Sequence, residues 1–165
     1  MALIDPAFVN LAGPPSLDSC TRDIYPSGLS LTLATALEMA SKIASAAAHL
    51  HSSGVMHGDL YGHNILHDGQ GRALLGDFGA ASFYPLETPW LAARLERLEV
   101  RAFGCLLEEL LALCPATAAE CEALHRLANE CQRPQAAEQP SFAEIGARLD
   151  EVQLSLRAEV APLMA

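Results

Sequence analysis

Three residues with oxygen-bearing side chains lie close together near the middle of the chain. Asp59 and Asn64 share one polar stretch, and Asp77 follows thirteen residues after Asn64. Carboxylate and amide oxygens are ligands that Mg²⁺ prefers, and a carboxylate can accept the proton of an attacking hydroxyl group. Transfer of a phosphoryl group needs both functions, because its transition state is stabilised mainly by positioning and charge. The three residues therefore predict a site suited to phosphoryl transfer.

The chain between Asn64 and Asp77 has to fold back if these side chains are to meet. Its short apolar pieces, at 65–66 and 73–75, flank the sequence D-G-Q-G at 68–71. Aspartate and glycine favour tight turns between short strands. We therefore predict a small β-hairpin that returns Asp77 to the side of the first loop.

Helical periodicity dominates most of the remaining chain. Apolar residues recur at spacings of three and four, which is typical of helices with a buried face. Ser141 and Glu144 have the spacing of a capping box, in which each side chain satisfies a free amide at a helix start. The fold class that we predict is mainly α, within the α+β family. The predicted helices cover about 30–53, 98–113, 117–131 and 142 to the late 150s, with one short helix around 16–24.

Length, charge and hydropathy limit the classes of function. With 165 residues, 51% of them hydrophobic, the chain suffices for one domain, which we assign to 1–160. No apolar run is long enough to span a bilayer, and the N-terminus lacks the basic stretch of a secretion signal. We expect a cytoplasmic protein with no membrane partner. The formal net charge of −10 would repel a phosphate backbone, so we expect no nucleic-acid partner.

The cysteines do not follow the spacing of a metal site. Their number is odd, and no C-x-x-C pair occurs. We interpret them as buried, reduced thiols rather than as disulfides or metal ligands. They are Cys20, Cys105, Cys114, Cys121 and Cys131.

The motifs at the predicted site resemble those of protein kinases. The sequence H-G-D-L-Y-G-H-N at 57–64 is similar to the catalytic loop H-R-D-x-x-x-x-N of that family, and 77–79 carries its D-F-G motif. Residues 99–110 are similar to the central buried helix of the family, and Q-P-S-F-A-E-I at 139–145 is similar to its closing R-P-S-F-x-E-I signature. The resemblance implies a kinase-like C-terminal lobe, which is a helical bundle with a small β-hairpin at the catalytic loop.

The resemblance also assigns a role to each residue of the site. Asp59 would be the catalytic base, and Asn64 and Asp77 would bind Mg²⁺. His57 and Phe78 would pack beneath the site and hold its geometry. The implied activity is transfer of the γ-phosphoryl group of ATP to a serine, threonine or tyrosine hydroxyl of a protein substrate.

The resemblance further implies contacts with the nucleotide. Leu66 would form the floor beneath the adenine of ATP. Residues 1–4 look like the hinge strand that joins the two lobes of a kinase, which would bring Ala2 and Ile4 to the nucleotide. ATP and Mg²⁺ are therefore the expected cofactors.

Three positions in the catalytic loop depart from the family pattern. Gly58 stands where most kinases have an arginine that binds a phosphorylated activation segment, so we expect no need for that phosphorylation. Tyr61 replaces the lysine of the family. His63 stands where tyrosine kinases place an arginine, and it could either carry positive charge towards the transferring phosphate or be structural. We include His63 with Asp59 among the candidate catalytic residues.

The half of a kinase that grips ATP is not recognisable in the sequence. No G-x-G-x-x-G motif occurs, and the single lysine, Lys42, lies in a predicted helix. We expect a β-rich N-terminal lobe to be missing from this chain and supplied in cis, and the fragment to be inactive alone. Two alternatives stay open. One is a small-molecule kinase of the aminoglycoside or choline type, which the H-G-D form favours, and the other is a catalytically silent pseudokinase acting as a binding module.

Overall fold

Four α-helices form the bulk of the molecule in a computed structural model, which describes residues 4–20, 22–117, 119 and 121–160. Among the helices α1 packs mainly against α4, and α2 packs against α3 and α1. The prediction of a mainly helical fold is confirmed. The helices are α1, Leu33–Ser52; α2, Pro89–Ala112; α3, Glu122–Cys131; and α4, Phe142–Val160.

Short strands in the described part of the chain carry the polar loops. They are β1, Val9–Asn10; β2, Val55–Met56; β3, Ile65–His67; β4, Ala73–Leu75; and β5, Ser82–Phe83. Strands β3 and β4 form the predicted antiparallel hairpin, with Ile65 opposite Leu75. Strand β1 pairs antiparallel with the other edge of β3, and β2 pairs antiparallel with β5. The site loops therefore lie between two small sheets and the helices.

The core lies where the four helices meet. Phe103 of α2 and Phe142 of α4 are fully buried and pack edge to face, with ring centroids 5.8 Å apart. Gly104 lets α3 approach α2 closely, because a Cβ at this position would lie 2.7 Å from Cβ of Cys131. The other large, fully buried side chains are Leu11, Leu37, Met39, Ile43, Leu60, Ile65, Leu106, Leu107, Leu110 and Leu124.

Two predicted helix starts and one predicted helix differ from the structure. Helix α2 begins at Pro89, well before the predicted start at 98, because proline can open a helix, where its missing N–H is not needed. Helix α3 begins at Glu122 rather than at 117. The short helix predicted around 16–24 is wrong, since its described residues form a turn at 17–19 and then a bridge from Ile24 to Gly13.

The start of α4 has the predicted capping box. The amide and hydroxyl of Ser141 each donate to Glu144 Oε2 at 2.7 Å, and the Glu144 amide donates to Ser141 Oγ at 3.3 Å. The carboxylate of Glu96 accepts the next amide, that of Phe142, at 2.9 Å. Polar side chains therefore satisfy the amides of Ser141, Phe142 and Glu144 at this helix start.

The cysteines are all thiols, and all five fall within the described residues. Cys121 and Cys131 are buried, and Cys105 and Cys114 are half-buried. The prediction of burial is wrong for Cys20, which is exposed because it lies in the loop before α1 rather than on a helix. Within the described ranges, none of the helices combines the length and apolar character needed to cross a bilayer.

Candidate active site

The loop between β2 and β3 holds the predicted base against its neighbour. Nδ2 of Asn64 donates to the carbonyl oxygen of Asp59 at 2.9 Å and to its Oδ2 at 2.8 Å. Both partners are acceptors, which fixes the amide nitrogen of Asn64 on this side and leaves its Oδ1 pointing elsewhere. The side chain of Asp59 is 38% exposed. A carboxylate is thus held rigidly but remains open to a ligand.

The hairpin brings the D-F-G residues to this loop. The amide of Gly76, directly before Asp77, donates to the carbonyl oxygen of Asn64 at 2.8 Å. His57 Nε2 donates to the carbonyl of Gly76 at 2.8 Å, and the His57 ring packs edge to face on Phe78 with centroids 4.9 Å apart. The hairpin therefore returns the chain at Gly76 to Asn64, because the start of β3 and the end of β4 lie at the same end of this antiparallel pair.

Asp77 has a backbone conformation that few residues other than glycine adopt. Its φ of 52° lies in the left-handed region, and its Oδ1 accepts the Gly79 amide at 3.2 Å. Such conformations cost free energy and collect at functional sites, where the surrounding structure enforces them. The turn leaves Asp77 exposed, with Oδ2 making no hydrogen bond to the described residues.

The oxygen atoms at this site are of the type that binds magnesium. Among the described residues, no three His, Cys, Asp or Glu side chains come close enough to hold a metal. A magnesium site would therefore depend on the amide oxygen of Asn64 and the carboxylate of Asp77, with water completing the shell. These are hard oxygen ligands, which suit Mg²⁺ and leave room for phosphate oxygens.

Glu99 of α2 anchors the start of the loop that carries Asp59. Its Oε1 accepts a hydrogen bond of 2.7 Å from the Gly58 amide. Its Oε2 accepts two hydrogen bonds, one of 3.1 Å from the His57 amide and one of 2.7 Å from Nε2 of His51. Burial raises the pKa of Glu99, but the bonds from His51 and from the two amides outweigh burial and hold that pKa below its usual value. The buried carboxylate thus fixes the backbone directly before Asp59.

Asp23 anchors the other end of the loop, and sequence reasoning missed it. Its side chain is fully buried, and it accepts the amides of Gly62 at 2.9 Å and His63 at 3.0 Å. Its Oδ1 also accepts a hydrogen bond of 2.6 Å from Nδ1 of His63. The other ring nitrogen of His63, Nε2, lies 3.9 Å from Oδ2 of Asp59. No sequence signal could have identified this residue, because it lies in a loop forty residues upstream.

Arg22 lies beside Tyr61, the residue that stands at the position of the family's lysine. The Arg22 guanidinium carbon stacks 4.2 Å from the centroid of the Tyr61 ring, and its Nε donates to Glu109 Oε1 at 3.0 Å. Burial raises the pKa of Glu109, against the effect of Arg22. The cleft beside the predicted base has a volume of about 540 Å³. Its lining residues are Pro15, Cys20, Arg22, Asp59, Tyr61 and His63.

The predicted nucleotide contacts lie in different surroundings. Leu66 is half-buried on β3, on the face opposite the buried Ile65. Ile4 is 56% exposed and belongs to no strand. Strand pairing near the start of the chain occurs instead at β1, where Asn10 lies opposite Leu66. Ala2 lies outside the described residues.

Comparison with known sequences decides the family. A sequence model of the protein kinase domain matches residues 16–100, which include both site motifs and the anchor residues Asp23 and Glu99. The chain belongs to the protein kinase domain family. The resemblance drawn from the motifs is therefore confirmed.

Plant protein kinases are among the similar sequences. The serine/threonine-protein kinase AtPK1/AtPK6 of Arabidopsis thaliana is 46% identical over 48 residues, which cover 29% of this chain and 10% of that protein. A probable serine/threonine-protein kinase of the same plant is 32% identical over 114 residues, which cover 56% of this chain and 20% of that protein. A receptor-like protein kinase of the leaf rust 10 disease-resistance group, also from Arabidopsis thaliana, is 30% identical over 93 residues, covering 46% of this chain and 14% of its own. The chain thus spans between a tenth and a fifth of the length of these relatives.

Proposed function

We propose that this kinase domain supplies the catalytic base and the magnesium ligands for transfer of the γ-phosphoryl group of ATP to a protein hydroxyl. The observation that carries the proposal is the Asn64 amide, which donates to both the backbone and the carboxylate of Asp59. It holds the carboxylate beside an amide oxygen that remains available. The amide of Gly76, directly before Asp77, donates to the carbonyl oxygen of Asn64, which supports a role for Asp77 at the same site.

Asp59 would accept the proton of the acceptor hydroxyl. Its side chain opens into the cleft that also contains Tyr61 and His63, so a hydroxyl group can reach it from solvent. His63 is held through Nδ1 by the buried Asp23, which directs Nε2 towards the same carboxylate. We assign His63 to orienting the acceptor in this cleft, next to the base.

Asn64 Oδ1 and the carboxylate of Asp77 would hold Mg²⁺, which supplies positive charge to the phosphate oxygens. The half-buried face of Leu66 supports its assignment beneath the adenine. We also propose that Ala2 and Ile4 contact the nucleotide. This part of the proposal rests on the family resemblance alone.

The grip on the ATP phosphates would have to come from residues beyond this chain. The single lysine, Lys42, lies on α1 and pairs with Glu38 at 3.3 Å within the same helix. It belongs to the helical bundle rather than to the catalytic loop or the hairpin. We therefore propose that an N-terminal lobe acts in cis and that the isolated chain transfers no phosphate.

The test uses the full-length gene product with magnesium-ATP and a panel of serine, threonine and tyrosine peptides. We expect phosphate transfer to a peptide or to the protein itself, and a fall in kcat of at least about 100-fold in Asp59→Asn. The matched control is Asp150→Asn, since Asp150 is an exposed carboxyl on α4. Equal activity of Asp59→Asn and the control would contradict the proposal.

The same panel separates the alternatives. Phosphate transfer to amino-sugars or choline, and not to peptides, would indicate a small-molecule kinase. A full-length protein that neither transfers phosphate nor binds magnesium-ATP in calorimetry would be a pseudokinase, acting through its surface.

A further inference from the structure

A chain of side-chain hydrogen bonds joins the segment after Asp77 to the catalytic loop. Tyr84 follows β5, and its hydroxyl lies 2.7 Å from Nδ1 of His51 at the end of α1. Nε2 of His51 lies 2.7 Å from Glu99 Oε2 on α2. Glu99 in turn accepts the amides of His57 and Gly58, directly before Asp59. Four separate elements of the fold are thus connected by one polar path.

The geometry fixes the direction of the bond between His51 and Glu99 and the position of Tyr84. The ionised carboxylate of Glu99 only accepts, so His51 Nε2 must donate to it. That bond turns Nδ1 towards Tyr84, whose hydroxyl can donate to or accept from a ring nitrogen. The Tyr84 hydroxyl also lies 3.2 Å from the carbonyl oxygen of His51, which fixes it at the end of α1.

The surroundings leave His51 little freedom to turn. Its side chain is 6% exposed, and its ring stacks on Phe142, with centroids 5.5 Å apart and planes inclined by 19°. The backbone holds Tyr84 in place independently, because its amide donates to the carbonyl of Gly54 at 2.8 Å and β5 pairs with β2. A buried imidazole between two fixed partners transmits position better than an exposed one, since few alternative partners compete.

We propose that Tyr84 is a positioning residue for the catalytic loop and acts through His51 and Glu99. It touches no reacting group, but it fixes the ring that orients the carboxylate holding His57 and Gly58. The link needs no phosphorylated residue and no arginine at position 58. This proposal rests on the proposed function in one respect: the loop that Tyr84 orders carries the proposed base, Asp59.

The experiment is native-state hydrogen exchange of the His57 and Gly58 amides in the 1–165 chain, with the buried amide of Leu106 as the reference for global opening. Tyr84→Phe removes only the hydroxyl. We expect exchange at His57 and Gly58 to rise about two- to tenfold relative to Leu106, as the loss of one hydrogen bond predicts. Unchanged rates, or an equal rise at Leu106, would overturn the proposal.

A matched control and a double variant test the route. Tyr25→Phe removes another hydroxyl bonded to a carboxylate, that of Glu109 at 3.0 Å, and should leave the His57 and Gly58 ratios unaltered. His51→Gln keeps a donor towards Glu99 but has no atom in place of Nδ1, so adding Tyr84→Phe should then change nothing further. An additional rise in that background would contradict a route through His51. If the glutamine variant does not fold, the single tyrosine variant decides alone.

Activity provides a separate readout. In an active full-length protein, Tyr84→Phe should lower kcat and leave the KM for ATP unchanged, because the loop that it orders carries the base. Unchanged kcat would overturn the catalytic part of the proposal. If the full-length protein is inactive, the proposed function fails, and the exchange data still decide whether Tyr84 orders the loop.

Discussion

The carbonyl oxygen of Ala80 lies 2.6 Å from the point that a Cβ on Gly58 would occupy. Ala80 ends the turn that begins at the D-F-G motif, and Gly58 directly precedes the predicted base, so the two halves of the site touch here. The φ of Gly58, 82°, also lies in the left-handed region. Both facts oppose any side chain at this position, including the arginine of the family pattern.

Substitution of Gly58 should therefore destabilise the fold through two separate causes. We expect Gly58→Ala to lower the free energy of unfolding by about 1–2 kcal/mol for the backbone conformation, and further for the clash with Ala80. The matched control is Gly28→Ala, because Gly28 has the same φ of 82° but nothing within 4 Å of its virtual Cβ. Urea unfolding measures both. Equal losses in the two variants would show that the contact with Ala80 has no effect.

The buried carboxylate of Glu99 should make stability depend on acid pH. Its pKa in the folded protein is below the usual value of 4.5, so its contribution is complete above that value and is lost as pH falls through the lowered pKa. We expect the free energy of unfolding to decline from about pH 5 to about pH 3. Glu99→Gln should flatten this decline, whereas Glu87→Gln, at an exposed loop position, should not. An unaltered slope in Glu99→Gln would contradict the assignment.

Two helical glycines should respond in opposite directions to alanine. At Gly104 a Cβ would meet Cys131 and Ala128 at 2.7 and 2.9 Å, so Gly104→Ala should destabilise by about 1–3 kcal/mol through overpacking. At Gly146 on α4 nothing lies within 4 Å, so Gly146→Ala should stabilise by about 0.5–1 kcal/mol. Thermal unfolding compares the two. A stabilising Gly104→Ala would mean that α2 and α3 pack less closely than described.

The thiols should differ sharply in reactivity. Cys20 is exposed, whereas Cys131 is fully buried and burial raises its pKa to about 12. We expect one fast reaction with a disulfide reagent in the folded protein, which Cys20→Ser abolishes. Mass spectrometry identifies the labelled residue. Labelling of Cys131 at the rate of Cys20, without denaturant, would contradict the described core.

The predicted magnesium ligands can be tested without activity. Mn²⁺, a paramagnetic substitute for Mg²⁺, should broaden the amide signals of Asn64 and Asp77 before others in the NMR spectrum of the 1–165 chain. Asn64→Ala with Asp77→Asn should remove this selective effect, since asparagine tolerates the backbone conformation of residue 77. Asp150→Asn serves as the control. Uniform broadening across the spectrum would indicate the absence of a defined site.

The elements predicted best from sequence are those with local causes. The period of apolar residues locates α1, and the D-G-Q-G turn locates the hairpin. The start of α2 escapes prediction because a proline that opens a helix has the same sequence signature as one in a loop. Strand β1 escapes prediction because two residues carry no period, and only pairing with β3 defines it.

The sequence by itself determined the family, through its motifs and their order. It also determined the hairpin that returns the chain at Gly76 to Asn64, because turn chemistry and a short loop enforce that return locally. Only the tertiary structure decided which residues hold that site. Asp23 and Glu99 come from two distant parts of the chain, and packing alone brings them to the loop. The same packing decided that position 58 must be glycine, since the obstacle is the carbonyl of Ala80 on another loop.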